Sequence, residues 1–262
     1  MLFGGPGQAE SEMPVDLELV LAVDVSRSMN DRELEIQRRG YVAALLAPDV
    51  LAAIGRGYHG QVALTYVEWA ESSHQRVVVD WTLIRDKADA EAFAARLAPP
   101  LKSNLRLTSI SSVIDFAAQS FDANGFAGER RVIDVSGDGP SNDGRSVVAA
   151  RDDAVTRGVT INGLPLMTRE GIGGNWYLDD LDAYYRHCVI GGRDAFVLPV
   201  RKWEDFPDAV RRKLLLELSG APPPQRYAAT TPRLWRAATR DDYDCKISDA
   251  VWGPPSWYRR GD

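Results

Sequence analysis

Leu17–Ser28 reads LELVLAVDVSRS, a nearly unbroken apolar run that ends in Asp24 and gives way to serines. A continuous run without alternation marks a central strand covered on both faces. Asp31–Leu46 follows with Leu34, Ile36, Val42, Leu45 and Leu46 set among charges, the pattern of an amphipathic helix, and Pro48 lies where that helix can stop. The chain therefore opens as a buried strand that delivers an acidic, hydroxyl-rich turn to the start of a helix.

Outward from this unit the alternation continues. Gln61–Trp69 (QVALTYVEW) is rich in β-branched and aromatic residues, as is Arg76–Leu83 (RVVVDWTL) after a short polar link, and the pair predicts a hairpin. Asp86–Leu97 and Ser109–Phe121 read as helices, and Arg131–Ser136 reads as a second buried strand closed by Gly137-Asp138-Gly139. Helix Arg145–Thr156, strand Val159–Leu166, helix Leu178–Cys188, strand Ala195–Val200 and helix Phe206–Leu218 complete an α/β pattern. Pro222-Pro223-Pro224 ends it. The expected organisation is a flexible N-terminal segment over 1–15, a folded domain over 16–220 and an appendage over 221–262. Trp235, Trp252 and Trp257 in that appendage predict that it docks on the main body.

With 262 residues, 45% hydrophobic and 26% charged, the chain has ordinary globular composition and can bury a core that needs no metal or staple to fold. Its net charge of −6 argues against nucleic acid, whose binding takes a concentrated basic surface. The basic run Arg211-Arg212-Lys213 reads as the solvated face of the last helix. No apolar run approaches the ~20 residues that span a bilayer. Met1–Met13 has neither the basic start nor the apolar length of an intact signal peptide. Cys188 and Cys245 lie far apart with no CxxC or zinc-type spacing, which removes support for redox catalysis and for a structural zinc site. A disulfide between them is the expectation if the protein is exported.

The chemistry gathers at Asp24-Val25-Ser26-Arg27-Ser28, where the first strand ends and a helix begins. That edge, outside the carboxyl ends of the strands, is where α/β folds bind ligands. Hard divalent cations take oxygen ligands, and one carboxylate with two hydroxyls at alternate positions can turn inward together. Thr108, leading into a helix, and Asp138, following a strand, offer further oxygens at elements of the same sheet. The set Asp24, Ser26, Ser28, Thr108 and Asp138 resembles the metal-ion-dependent adhesion site of von Willebrand factor type A domains. The resemblance runs from about Asp16 to Gly220, and the phrases LVLAVDVSRS, VIDVSGDG and HCVIGGRDAFV are similar to a bacterial, often exported branch whose domain has no assigned function.

This resemblance implies a three-layer, doubly wound fold: a mostly parallel sheet of about six strands with one antiparallel edge strand, helices on both faces, and the C-terminal appendage outside it. It implies that Ser26 and Ser28 coordinate Mg²⁺, or Mn²⁺ or Ca²⁺ in its place, and that Asp24, Thr108 and Asp138 do so directly or through water. A protein partner would then supply a carboxylate, outside the cytoplasm, in the periplasm or after secretion, and no turnover is implied. Leu105-Arg106-Leu107 departs from the glycine-rich approach to the threonine that many members have.

Plainer readings compete. Ser28 or Asn30 can cap the following helix. Gly137-Asp138-Gly139-Pro140-Ser141-Asn142 resembles a phosphate loop but lacks its third glycine, and Pro140 removes a donor, so it reads as a turn. Asp24 at a strand end suits a phosphoaspartate enzyme, yet position 26 is serine where a second carboxylate would serve. A metal-dependent hydrolase, a phosphoryl-transfer enzyme and a scaffold with a non-functional metal site are the alternatives to a binding module. Asp134 lies in a strand expected to be buried, and Trp176, Tyr177, Tyr184 and Tyr185 are suited to packing or to an aromatic rim.

Overall fold

The computed structural model describes residues 12–97, 105–168, 178–220, 235–236 and 243–246. Its strands are Met13–Val15 (β1), Glu18–Asp24 (β2), Val62–Trp69 (β3), Gln75–Ile84 (β4), Phe126–Gly128 (β5), Arg131–Gly137 (β6), Val159–Pro165 (β7), Phe196–Val197 (β8) and Trp235–Arg236 (β9). Its helices are Asp31–Leu45 (α1), Pro48–Ile54 (α2), Lys87–Arg96 (α3), Ile110–Ser120 (α4), Val147–Thr156 (α5), Leu181–Tyr184 (α6) and Phe206–Ser219 (α7).

Every residue of β2 is buried, and its side chains divide between two cores. Leu19, Leu21 and Val23 pack with Leu34 and Tyr41 of α1 and Val210 and Leu214 of α7. Val20 and Ala22 pack with Val113 and Ile114 of α4 and Ala150 of α5. An apolar run with no polar face thus has a helical layer on each side, which is why the domain has three layers. Gly40 of α1 lets α7 come close, since a Cβ there would lie 2.5 Å from Cδ1 of Phe206.

The main sheet runs β4-β3-β2-β6-β7-β8-β9. β2 pairs in parallel with β3 and β6, β6 with β7 and β7 with β8, whereas the expected hairpin β3–β4 is antiparallel. The six strands from β4 to β8 form the mostly parallel α/β sheet that the sequence predicts. The appendage adds β9, antiparallel to β8, through the backbone of Trp235 and Arg236.

Several expectations need correction. Met13–Val15, placed in a flexible segment, forms β1, paired in parallel with β5. Pro48 starts a helix rather than only ending one, because proline suits the first helical turn, where its missing N–H costs nothing. The helix expected over 178–188 is a short α6 that passes into a π-helical turn, Tyr185–Val189. The strand expected over 195–200 narrows to Phe196–Val197, with Val200 bridging separately to Leu166. Trp176, Tyr177, Trp252 and Trp257 lie outside the described residues.

The basic run on α7 is a solvated face only in part, at Arg211. Lys213 is fully buried, with Nζ 2.7 Å from Asp134 Oδ1 of β6 and 2.6 Å from Glu217 Oε1. Asn162 of β7 donates to the same Glu217 oxygen at 3.0 Å. Asp134 thus belongs to a charge cluster between sheet and α7, and Arg211 pairs at the surface with Asp49. Cys188 and Cys245 form a disulfide. Beside it, Tyr243 stacks on His187 with ring centroids 5.2 Å apart and donates to Asp180 Oδ2 at 2.9 Å.

Candidate metal centre

The parallel order brings the carboxyl ends of β2 and β6 side by side, and the turns that leave them carry most of the predicted oxygen donors. Asp24 closes β2, and its Oδ1 accepts a hydrogen bond from the Ser26 backbone N–H at 2.7 Å, which curls the turn back over the carboxylate. Ser26 Oγ and Ser28 Oγ lie 3.0 Å apart, and Ser28 Oγ donates to Asp138 Oδ1 at 2.7 Å. Asp24, Ser26, Ser28 and Asp138 therefore form one hydrogen-bonded cluster built from two segments 110 residues apart.

Helix capping does not consume these serines. Asn30 caps α1: its Oδ1 accepts from Glu33 N at 3.1 Å, while its own N–H donates to Glu33 Oε2 at 2.8 Å. The other Glu33 oxygen accepts from Trp203 Nε1 at 3.0 Å.

Thr108 arrives through backbone contacts. Arg27 N donates to Leu105 O at 2.7 Å and Ser109 N to Ala70 O at 2.7 Å, which ties the segment between Leu105 and α4 to the turns after β2 and β3. Leu105, in place of a glycine, serves this link through its carbonyl. On the other side Asn142 clamps Thr108 twice: Thr108 N donates to Asn142 Oδ1 at 2.8 Å and Asn142 N donates to Thr108 O at 2.8 Å. Thr108 is 6% exposed, and among the described residues its hydroxyl makes no hydrogen bond to the other four side chains.

Ser141 and Asn142 read in the sequence only as parts of a turn, and their supporting role emerges from the fold. Ser141 N donates to Tyr184 Oη at 3.2 Å, and Ser141 Oγ accepts from Ile110 N at 3.1 Å. The one local signal is an asparagine closing a Gly-Asp-Gly-Pro turn, where its side chain can reach nearby backbone.

The electrostatics of the cluster are unbalanced. Burial, and then the charge of Asp138, push the Asp24 carboxyl well above the usual carboxylate range. Burial likewise raises Asp138 to about 6, against the Ser28 hydrogen bond and with the added charge of Glu33. No lysine or arginine pairs with either carboxylate among the described residues, and Asp24 Oδ2, fully buried, has no hydrogen-bond partner. Two close carboxylates, neutral hydroxyls and an unpartnered buried oxygen are what a hard divalent cation would satisfy. Among the described residues no three His, Cys, Asp or Glu side chains gather into a group that could hold a metal ion, so an ion here would depend on the serine hydroxyls beside the two carboxylates. Ser28 and Asp138 are half-buried, whereas Asp24 and Ser26 lie beneath them, so the cluster opens outward. Arg27, Arg106 and Leu107 are exposed on the neighbouring turns.

The family described as "Protein of unknown function (DUF1194)" matches residues 14–222. No curated protein matches by sequence. Among solved structures, proximal thread matrix protein 1 of the mussel byssus, solved with a zinc-occupied MIDAS motif, is 16% identical with a TM-score of 0.55, over 79% of this chain and 49% of that one. The pilus adhesin SpaC of Lactobacillus rhamnosus GG is 11% identical with a TM-score of 0.58, over 79% of this chain and 31% of its own. A von Willebrand factor type A protein of Catenulispora acidiphila is 13% identical with a TM-score of 0.51, over 78% and 43%. The chain thus spans less than half the length of each, and at these identities the likeness is one of fold: the von Willebrand A arrangement.

Proposed function

Because the chain belongs to the DUF1194 family, whose description assigns no activity, its role rests on the chemistry of the site, and we propose that it is a metal-dependent binding module. Asp24, Ser26, Ser28, Thr108 and Asp138 would hold a divalent cation, Mg²⁺ or in its place Mn²⁺ or Ca²⁺. When bound, the cation would supply an electrophilic position for a carboxylate from a protein partner, because the hydroxyl ligands neutralise none of its charge and Asp24 and Asp138 would weaken it least where they bind through water. The observation that carries this reading is the fully buried Asp24 Oδ2, without a hydrogen-bond partner among the described residues, in a cluster of two carboxylates that no described lysine or arginine balances.

The chain's own residues divide the work. Asp24, anchored by the Ser26 N–H, forms the floor of the site. Ser28 and Asp138 hold each other at the opening. Asn142 fixes the Thr108 backbone from the side. Exposed Arg27 and Arg106 flank the opening with positive charge and favour an acidic partner. The disulfide supports a place outside the cytoplasm, where such bonds persist. No helix among the described residues is long and apolar enough to cross a membrane. A pilus adhesin among the structural neighbours supports a partner-binding role.

Calorimetric titration of the wild-type protein with Mn²⁺ and Mg²⁺ should show one binding event. Ser26→Ala with Ser28→Ala should remove it while leaving the circular dichroism spectrum unchanged. A pull-down performed with Mg²⁺ should capture a partner that chelator releases. Absence of wild-type cation binding would overturn the reading, and so would cation-dependent turnover in a phosphatase and esterase screen that Asp24→Ala abolishes.

A further inference from the structure

Behind the cluster stands a second unpartnered buried atom. Tyr185 is fully buried at the start of the π-helical turn, and its hydroxyl has no hydrogen-bond partner among the described residues. It and Asp24 face the same glycine. A Cβ placed on Gly137, the last residue of β6, would lie 2.9 Å from Tyr185 Oη and 3.0 Å from Asp24 Oδ2. The two atoms without partners thus border the same space, which exists because position 137 carries no side chain.

Neighbouring features lead the ring to that point. A Cβ on Gly163 of β7 would lie 2.6 Å from Tyr185 Cδ1, so the ring crosses β7 at a second glycine before its hydroxyl reaches the ends of β6 and β2. The π-helical turn changes the side-chain phase relative to an α-helix, and such turns cluster at functional sites. Tyr184, the preceding residue, accepts a hydrogen bond from Ser141 N, next to the clamp on Thr108. The turn is held by the Cys188–Cys245 bond and by Arg151 Nη1, which donates to His187 O at 2.7 Å. Two adjacent tyrosines, the last residue of α6 and the first of the π-helical turn, therefore reach the underside of the candidate centre.

We propose that Tyr185 is a positioning residue of this centre, its phenol donating to Asp24 Oδ2, directly or through one water, and so orienting the carboxylate for the cation. The inference rests on the cation reading above and goes beyond it by adding a residue outside the five predicted donors. A phenol is chemically suited to this role, because it donates one hydrogen bond, carries no charge at neutral pH and leaves the carboxylate's other lone pairs to the cation. Groups that orient metal ligands in this way typically change affinity by about 10–100-fold when removed.

The deciding variant is Tyr185→Phe in the full chain, which keeps the ring and removes only the hydroxyl. Mn²⁺ affinity, read by calorimetry and by the electron paramagnetic resonance of free Mn²⁺, should fall about tenfold or more. The melting temperature in chelator should change by at most a few degrees, because the ring and its packing are kept and one hydrogen bond is lost. A merely structural tyrosine would show the reverse, a lower melting temperature with affinity intact. Wild-type affinity in Tyr185→Phe overturns the positioning role while leaving the cation site standing. Failure of the wild-type control to bind Mn²⁺ overturns the cation reading and this inference with it.

Discussion

Replacing Lys213 by methionine should destabilise the protein by about 3–5 kcal/mol at neutral pH, measured by urea denaturation, because it leaves two buried carboxylates without their cation. Lys213 is fully buried, with Asp134 and Glu217 both within 2.7 Å of its Nζ. Burial raises Asp134 to about 7, the Lys213 charge opposes that rise and the Glu217 charge adds to it. The sign of the pH effect follows. The folded state binds a proton at Asp134 between the ordinary value of 3.8 and about 7, so the stability this group contributes is complete below 3.8 and is lost as pH rises through about 7. Without Lys213 the carboxyl is raised further, so the deficit of the variant should shrink as pH falls from about 8 to about 5. A deficit that stays constant, or grows in acid, would show that Lys213 does not serve as the counter-charge. Adding Asp134→Asn and Glu217→Gln to Lys213→Met should recover most of the loss, which separates a charge effect from simple failure to pack.

Loss of the Cys188–Cys245 bond is the second large effect. The bond closes a sequence separation of 57 residues, and its removal should cost about 2–4 kcal/mol through the freedom returned to the unfolded chain. Denaturation with and without a reducing agent, and of the paired Cys188→Ser and Cys245→Ser variant, should show the same loss. Intact mass after alkylation should reveal no free thiol until reductant is added, and two alkylatable thiols in unreduced protein would contradict the bond. With the bond gone, the Tyr243–Asp180 hydrogen bond and the Tyr243–His187 stack should weaken together, because all three join the segment around Tyr243 to one short stretch of the main body.

The architecture is readable where local pattern and final environment agree. The unbroken run in β2 announces burial on both faces, and the alternating, β-branched Gln61–Leu83 stretch announces the antiparallel edge. The acidic and hydroxyl residues after β2 and β6 announce the chemistry, and four of the five converge in one hydrogen-bonded cluster. Misreadings arise where one signal carries two meanings. Pro48 ends one helix and begins another. Tyr184 and Tyr185 have the character of packing residues and are buried as such, yet their hydroxyls point to the site's supporting loops.

By itself the sequence determined the order and type of the main elements, the strand edge that carries the oxygen donors, and a pair of cysteines available for one bond. Periodicity and composition suffice for these because each depends on which face of a single element meets water or apolar neighbours. Only the tertiary structure decided that Lys213 lies inside rather than out, that Asn142 clamps Thr108, and that Asp24 and Tyr185 border the same space at Gly137. The partners in these contacts come from elements far apart along the chain. The energy of a buried charge or hydroxyl depends on those partners, and they become neighbours only after the sheet has been assembled.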